Sequence, residues 1–136
     1  MRIKYLNTDL DLKSADDLHS LVAALETRGL CGLHVTLGED QHWDSILECE
    51  EQHAEPEASI QTMLDAVEAL SEGERQSWDR CLLREFNVGY DCGAEPWAFN
   101  QGLSNSTLAR MAAVGSTFRL TLYPPVRQVT ASTSGE

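Results

Sequence analysis

The chain has 136 residues, of which 42% are hydrophobic and 24% charged, and its formal net charge is −12. This length is typical of one domain with its own core, and no run of about 18 apolar residues, the minimum for a membrane-spanning helix, is present. An acidic chain lacks the basic face that nucleic acids and anionic membrane surfaces attract, so we expect neither as a partner.

The N-terminus and the cysteines favour a cytoplasmic protein. The first nine residues contain no long apolar stretch and no cleavage site typical of a secretory signal. The four cysteines are widely spaced and include no C-x-x-C pair, so we expect reduced thiols that pack as small hydrophobic groups. No nucleotide-binding motif is present, and we expect no cofactor.

The first third of the chain is predicted to form a strand, a helix and a hairpin. Apolar residues alternate from Ile3 to Leu12, with a bulge or bend expected near residues 7–9. Ser14 is predicted to cap a helix that ends at Gly29. A hairpin with an odd-numbered loop then places Leu37 beside Trp43 and Leu33 beside Leu47.

The rest of the chain is predicted to contain three helices and two strands. Pro56 begins the first of these helices, and Ser71 with Glu74 forms a capping box that starts a separate one. A strand over residues 85–91 leads to a turn-rich loop, a helix opened by Ser104, and a final strand over residues 117–123.

These elements predict the order β-α-β-β-α-α-β-α-β, an α+β fold with a five-stranded mixed sheet and its helices on one face. We expect a single domain over residues 1–124, followed by a polar tail over residues 125–136. The side chains predicted to form the core share helical or strand periodicity and are Leu21, Leu25, Val35, Leu64, Val67, Val88, Leu108, Leu120 and Leu122.

The negative charge is concentrated in the middle third of the chain. Residues 29–74 hold twelve carboxylates and no Lys or Arg, whereas the flanking segments are nearly balanced. Such a run is most often a solvated face that keeps a protein soluble. It also favours a basic protein as partner, and the candidate contacts lie in the predicted loop before the second helix: Glu48, Glu50, Glu51 and Glu55.

The aromatic loop after the fourth strand is the second candidate binding surface. Trp97, Phe99 and Asn100 follow Pro96, and aromatic side chains on loops often act as contact anchors. The alternative is that the loop folds its aromatics onto the core. A third, polar patch is expected if the first and fourth strands are neighbours, because Tyr5, Asn7, Asp9, Asp11, Asn87 and Asp91 would then share a face.

Catalytic and metal sites have weaker support in the sequence. His34, His42, Asp44 and His53 carry ligand groups that zinc prefers, but their spacing matches no recognised metal signature. Cys49 lies near His53, yet neither it nor Cys92 is framed by a nucleophile motif. We therefore assign no catalytic residue and no metal ligand, and keep a metal-dependent function of His34, His42 and Asp44 as the alternative.

A segment within residues 86–124, under a third of the chain, resembles the C-terminal half of an uncharacterised bacterial domain family. The resemblance rests on Phe86–Tyr90, Pro96–Phe99, Leu103–Gly115 and Leu120–Pro124. Members of that family are sometimes grouped with immunity-like proteins of toxin systems. The resemblance implies a small intracellular bacterial α+β protein, and it supplies no catalytic residue that can be carried over.

Three classes of function therefore remain open from the sequence. The leading one is a non-enzymatic interaction module, immunity-like, that binds a basic protein. A small metal-dependent protein and a plain oligomerising domain are the alternatives, and the oligomeric state itself is not determined by the sequence.

Overall fold

The computed structural model describes residues 1–125 of the chain, so the predicted tail lies outside the described residues apart from Pro125. The element order is the predicted one, and the α+β class is confirmed. The strands are β1 (Lys4–Ser14), β2 (Leu30–Leu37), β3 (Trp43–Cys49), β4 (Leu83–Asp91) and β5 (Thr117–Tyr123). The helices are α1 (His19–Glu26), α2 (Pro56–Glu68), α3 (Glu72–Asp79) and α4 (Asn105–Ala113).

The five strands form one mixed sheet in the order β2-β3-β1-β4-β5. The first three neighbouring pairs are antiparallel, and β4 pairs with β5 in parallel after the crossover through α4. β1 is therefore the central strand, while β2 and β5 are the two edges. Within the described residues, no helix is long and apolar enough to cross a membrane.

The helices pack on one face of the sheet, and the core lies between them and the three inner strands. Leu10 of β1 is paired with Leu47 on one side and with Phe86 on the other, and all three side chains are fully buried. Helix α2 covers this row with Ile60, Met63, Leu64 and Val67. Burying a side chain of this size contributes roughly 1.5–3 kcal/mol, so this row and its cover are the main source of stability.

The core prediction was right for the inner elements and wrong at the β5 edge. Leu21, Leu25, Leu64, Val67 and Val88 are buried, and Val35 packs against the margin of the core. The side chains of Leu108, Leu120 and Leu122 were predicted to be buried, yet they are 49%, 53% and 57% exposed.

The packing of α4 explains this error. Arg110 of α4 bonds to Asp65 and Glu68 of α2, and the carbonyl of Val114 accepts the indole N–H of Trp78 from α3. Through these contacts α4 packs against α2 and α3. Within residues 1–125 the helix-side face of β5 is left uncovered, although its sequence alternates as a half-buried strand should.

Two β-bulges set which side chains face the helices. The hairpin pairs Leu37 with Trp43 as predicted, but Leu33 occupies a bulge, so Gly32 takes its predicted place opposite Leu47. A second register shift lies between Tyr5 and Asn7 of β1. Because of it, Tyr5 points to the helix face, where its hydroxyl lies 2.9 Å from Ser59 Oγ of α2. The prediction that Tyr5 shares the polar face with Asn7 was therefore wrong.

The helix ends mostly follow the predicted caps. The break between α2 and α3 is present, and Ser104 caps α4 by accepting from the backbone N–H of Thr107. Gly29 and Gly115 adopt the positive φ angles that end helical segments. The cap predicted at Ser14 was wrong, because β1 continues through Ser14 by pairing with Trp43, and α1 begins only at His19.

Replacing Ser71 with alanine should lower the free energy of unfolding by about 1 kcal/mol. The Ser71 hydroxyl accepts from the N–H of Glu74, and the Glu74 carboxylate accepts from the N–H of Ser71. Removing the hydroxyl leaves one N–H of the first turn of α3 without its acceptor. Urea denaturation measures the free energy of unfolding of Ser71→Ala and of the control Ser77→Ala, which removes a hydroxyl from inside the same helix. Equal losses of free energy in the two variants would contradict the prediction.

Candidate functional site

An open apolar groove lies over β4 and β5 on the helix side of the sheet, with a volume of about 470 Å³. Its floor is the paired rows Val88 with Leu120 and Tyr90 with Leu122, continued by Phe118. Its walls come from the segment before β1, the start of α2 and the loop after β4: Ile3, Pro56, Cys92, Gly93, Phe99, Gln101, Gly102 and Leu103. A concave, mostly apolar surface of this size with few polar groups is typical of a binding site.

Tyr90 holds the part of the groove loop that follows Trp97. The ring of Phe99 packs edge-on against Tyr90, with 5.3 Å between the ring centres, and the Tyr90 hydroxyl donates to Gln101 Oε1 at 3.1 Å. Burial, together with the neighbouring Tyr5, raises the pKa of Tyr90 above its usual value, so the hydroxyl remains a donor at physiological pH. Phe99 thus follows the alternative prediction, in which the loop folds an aromatic ring inward.

The N-terminal residues hold the base of the same loop. The backbone N–H of Ala94 donates to the carbonyl of Met1, and the N–H of Ile3 donates to the carbonyl of Glu95. Gly93 is required here, since a Cβ at this position would lie 2.5 Å from the carbonyl oxygen of Met1. The loop is therefore fixed at its base and presents its middle to solvent.

Trp97 is the most exposed large side chain of this loop. It is 97% exposed, compared with 39% for Phe99, and the neighbouring Asn100 is exposed as well. An indole ring left almost wholly in water gains nothing for the fold of the single chain. The arrangement places a free aromatic side chain on the same loop that walls an open apolar groove.

The opposite face of the sheet carries the expected polar patch. β1 and β4 are neighbours, so Asp9 lies opposite Asn87, and Asp11 lies opposite Glu85. Asp9 also lies opposite Glu48 of β3. Arg119 of β5 offsets part of this charge through an ion pair with Glu85 at 2.6 Å.

The crowding of carboxylates on this face changes their protonation. Burial, with the charges of Asp11 and Glu48, raises the pKa of Asp9 to about 6. Burial and the neighbouring Glu85 raise the pKa of Asp11 as well, and its Oδ1 atom is buried without a hydrogen-bond partner among the described residues. The charged form of Asp9 is thus disfavoured in the folded chain.

The Asp9→Asn variant should be more stable than the parent at pH 8 and nearly equal to it at pH 4. The pKa of Asp9 is higher in the folded chain than in the unfolded one. The protonated side chain therefore makes its full contribution to the free energy of unfolding below about pH 4, and this contribution is lost as the pH rises through about 6. We expect a gain of about 1 kcal/mol at pH 8, allowing for the solvent that reaches the carboxylate. Chemical denaturation at several pH values measures this difference.

Asp40→Asn is a control of opposite sign for that experiment. Its hydrogen bond from Lys13, with a second from the backbone of His42, lowers the pKa of Asp40 to about 2. Removing the Asp40 carboxylate should therefore lower the free energy of unfolding at neutral pH, and this loss should become smaller as the pH falls toward 2. A difference between Asp9→Asn and the parent that is the same at pH 4 and pH 8 would contradict the assignment.

The predicted acidic contact residues occupy two different places. Glu50, Glu51 and Glu55 are exposed on the connection between β3 and α2, and none of them forms an ion pair within residues 1–125. Glu48 was also placed on this connection, but it lies within β3 on the polar face. The connection leads directly to Pro56, which lines the groove.

The side chains considered for metal binding are separated. His34 Nδ1 lies 3.0 Å from Thr36 Oγ1, and His42 and Asp44 lie near Asp40 and Lys13 respectively. His53 Nε2 contacts the hydroxyl of Thr62. Over residues 1–125, no group of three or more His, Cys, Asp or Glu side chains is arranged to hold a metal ion.

Cys81 is buried and Cys49 and Cys92 are partly buried, but Cys31 is exposed, so the prediction that all four thiols pack as small hydrophobic groups was wrong for Cys31. All four are free, and the Cys49 thiol donates to the carbonyl of Ser59. Burial, with the charge of Glu48, raises the pKa of Cys49 to about 11, and burial raises that of Cys81 to about 11. Neither thiol is therefore a ready nucleophile, because the reactive form is the thiolate.

Comparison of the chain with protein-family models, curated proteins and solved structures found no match in any of the three. The groove and its surroundings must therefore be interpreted from their own geometry. Sequence patterns had identified the aromatic loop, but they missed the floor, because alternation in β5 indicates an apolar face without indicating what covers it.

Proposed function

We propose that the chain is a non-enzymatic protein-interaction module and that its main contact surface is the apolar patch formed by Trp97, Phe99, Phe118, Leu120 and Leu122. The observation that carries this proposal is the uncovered apolar row of β5 beside a free tryptophan. Each of these side chains is more than a third exposed. A partner that covers them would supply the burial that α4 does not.

The size of the apolar patch supports a protein partner. Together its side chains expose roughly 600 Å² of apolar surface, taking about 150–250 Å² for a fully exposed aromatic side chain and less for leucine. Apolar patches on monomeric proteins are usually a few hundred Å², and a standard interface buries about 800 Å² per partner. The patch alone therefore approaches the area of one side of a standard interface.

The backbone at β5 adds a second means of recognition. β5 is an edge strand of seven residues without a proline, and its pairing with β4 shows no register shift. Edges of this kind are usually protected, as β2 is by its bulge at Leu33. No strand among residues 1–125 pairs with the outer edge of β5, so an extended segment of a partner can pair there while its side chains enter the groove.

The exposed carboxylates Glu50, Glu51 and Glu55, the acidic connection, are a second surface that suits a basic partner. They remain outside ion pairs within residues 1–125, whereas Asp65 and Glu68 are both paired with Arg110. Unpaired surface charge of one sign accelerates association with an oppositely charged protein. A non-enzymatic interaction module of this kind agrees with the grouping of some members of the family that residues 86–124 resemble with immunity-like proteins.

Site-specific photo-crosslinking in the source lysate tests the apolar patch directly. A photoreactive amino acid at position 120 should capture a protein, whereas the same group at position 33 should not. The two leucines are matched, because they are 53% and 52% exposed and lie on opposite edges of the sheet. Equal capture at the two positions, or none at position 120, would reject the apolar patch as the contact surface.

Reversing the charge of the acidic connection should slow binding to a basic partner without unfolding the chain. Glu50→Lys, Glu51→Lys and Glu55→Lys together should reduce the association rate with the captured protein by at least about tenfold at low ionic strength. The thermal midpoint should change little, because these carboxylates make no ion pair within the described residues.

The same triple variant provides its own control at high salt. Above about 0.5 M salt the rates of parent and variant should converge, since screening removes long-range steering. Equal rates at low ionic strength would leave the acidic connection as a solubility feature.

A further inference from the structure

The apolar patch contains both a protruding side chain and a concave acceptor. Trp97 is 97% exposed on the loop whose Phe99 and Gln101 wall the groove of about 470 Å³. A two-fold symmetric interface uses the same patch on both molecules, so it needs an anchor and its pocket side by side. Tryptophan is also the side chain most enriched at the energetic centres of interfaces.

The charge of this region suits a second copy better than the rest of the surface does. The chain as a whole carries −12, yet residues 92–125 hold a single carboxylate, Glu95. Arg110 and Arg119 of the same segment are already neutralised by ion pairs with Asp65, Glu68 and Glu85. Two copies that meet through this region bring together fewer carboxylates than two copies that meet through residues 29–74, which hold twelve. Like-charge juxtaposition elsewhere on the surface would oppose association.

We propose that the occupant of the groove is a second copy of this chain, and that Trp97 of each copy enters the groove of the other about a two-fold axis. This inference rests on the proposed function of the apolar patch. Residues 126–136 of the same chain are a poor alternative, because their only large apolar side chains are two valines.

Sedimentation velocity of the purified full chain over a wide concentration range measures the self-association. The parent should form dimers, and Trp97→Ala should raise the dissociation constant of the dimer by at least about a hundredfold. The reason is that each of the two equivalent contacts loses a side chain that lowers this constant by about tenfold or more. Leu120→Asp, which puts a carboxylate on the groove floor, should weaken the dimer similarly. Leu33→Asp, matched to Leu120 in exposure, should leave it unchanged.

A mixing experiment separates exchange between copies from closure of the loop onto its own groove. Trp97→Ala retains an open groove, and Leu120→Asp retains its tryptophan, so a mixed dimer regains one of the two contacts. An equimolar mixture should therefore associate at least about tenfold more tightly than either variant alone. Circular dichroism of each variant, which should match the parent because both positions are exposed, confirms that the chains are folded.

The outcomes distinguish this inference from the proposed function. A parent that stays monomeric up to about 1 mM, well above the range of specific complexes, while position 120 still captures another protein in lysate, would reject the second copy and retain the apolar patch. A dimer that Trp97→Ala does not weaken, or a mixture that associates no better than its components, would reject the reciprocal anchor. A monomeric parent with no capture at position 120 would reject both.

Discussion

Trp78→Ala should lower the free energy of unfolding by about 4 kcal/mol, the largest single-residue loss that we expect in this chain. The indole of Trp78 in α3 is fully buried, and its N–H donates to the carbonyl of Val114 at 2.9 Å. Truncation removes that bond and leaves a cavity among α3, α4 and the sheet. Since the total free energy of unfolding of a small domain is about 5–15 kcal/mol, a large part of the stability would be lost.

Trp78→Phe separates the cavity from the hydrogen bond. Phenylalanine keeps most of the buried ring but leaves the Val114 carbonyl without its donor, so we expect a loss of about 2 kcal/mol. Urea denaturation measures both variants. Trp43→Ala is a suitable reference, because Trp43 is only partly buried at the margin of the core; a loss there as large as at Trp78 would contradict this account.

The parts of the fold that were predictable depend on local signals. The capping box at Ser71 and the cap at Ser104 act within one turn of helix, and the odd-numbered hairpin loop determines its own pairing of Leu37 with Trp43. Such signals need no knowledge of distant residues. They were sufficient for the element order and for the class of the fold.

The errors all involve contacts between distant segments. Ser14 has good cap chemistry, but pairing with Trp43 in β3 keeps it in the sheet. Tyr5 has the spacing of the polar face, but a bulge turns it toward Ser59 of α2. In both cases the competing interaction comes from a residue more than twenty-five positions away in the chain, which periodicity alone does not reveal.

The candidate site shows the same division between local and distant information. The aromatic loop was visible as a cluster of Trp97 and Phe99 after a proline. The groove floor was instead assigned to the core, because Leu120 and Leu122 alternate as buried residues do. The helix that follows β4, α4, lies instead against α2, where Arg110 bonds to Asp65 and Glu68. One available signal was that β5 is the last predicted element, so nothing predicted after it covers its face.

Arg84→Met should lower the free energy of unfolding by about 3 kcal/mol, the second-largest loss that we expect. The guanidinium of Arg84 donates through Nη1 to the carbonyls of Trp78, Asp79 and Cys81, and through Nε to the carbonyl of Gly115. It thereby joins the C-terminal end of α3 to the turn before β5. Methionine keeps much of the apolar stem but leaves all four carbonyls without this donor.

Arg84→Lys identifies the cause of that loss. Lysine retains a positive charge near the C-terminus of α3, where the helix dipole favours it, but its single ammonium cannot match the planar fork that reaches both segments. We expect the lysine variant to recover about 1 kcal/mol of the loss through its charge alone. Recovery to the parent level would show that charge suffices. A loss equal to that of methionine would show that the geometry of the guanidinium alone stabilises this junction, and with it the start of the strand that forms the groove floor.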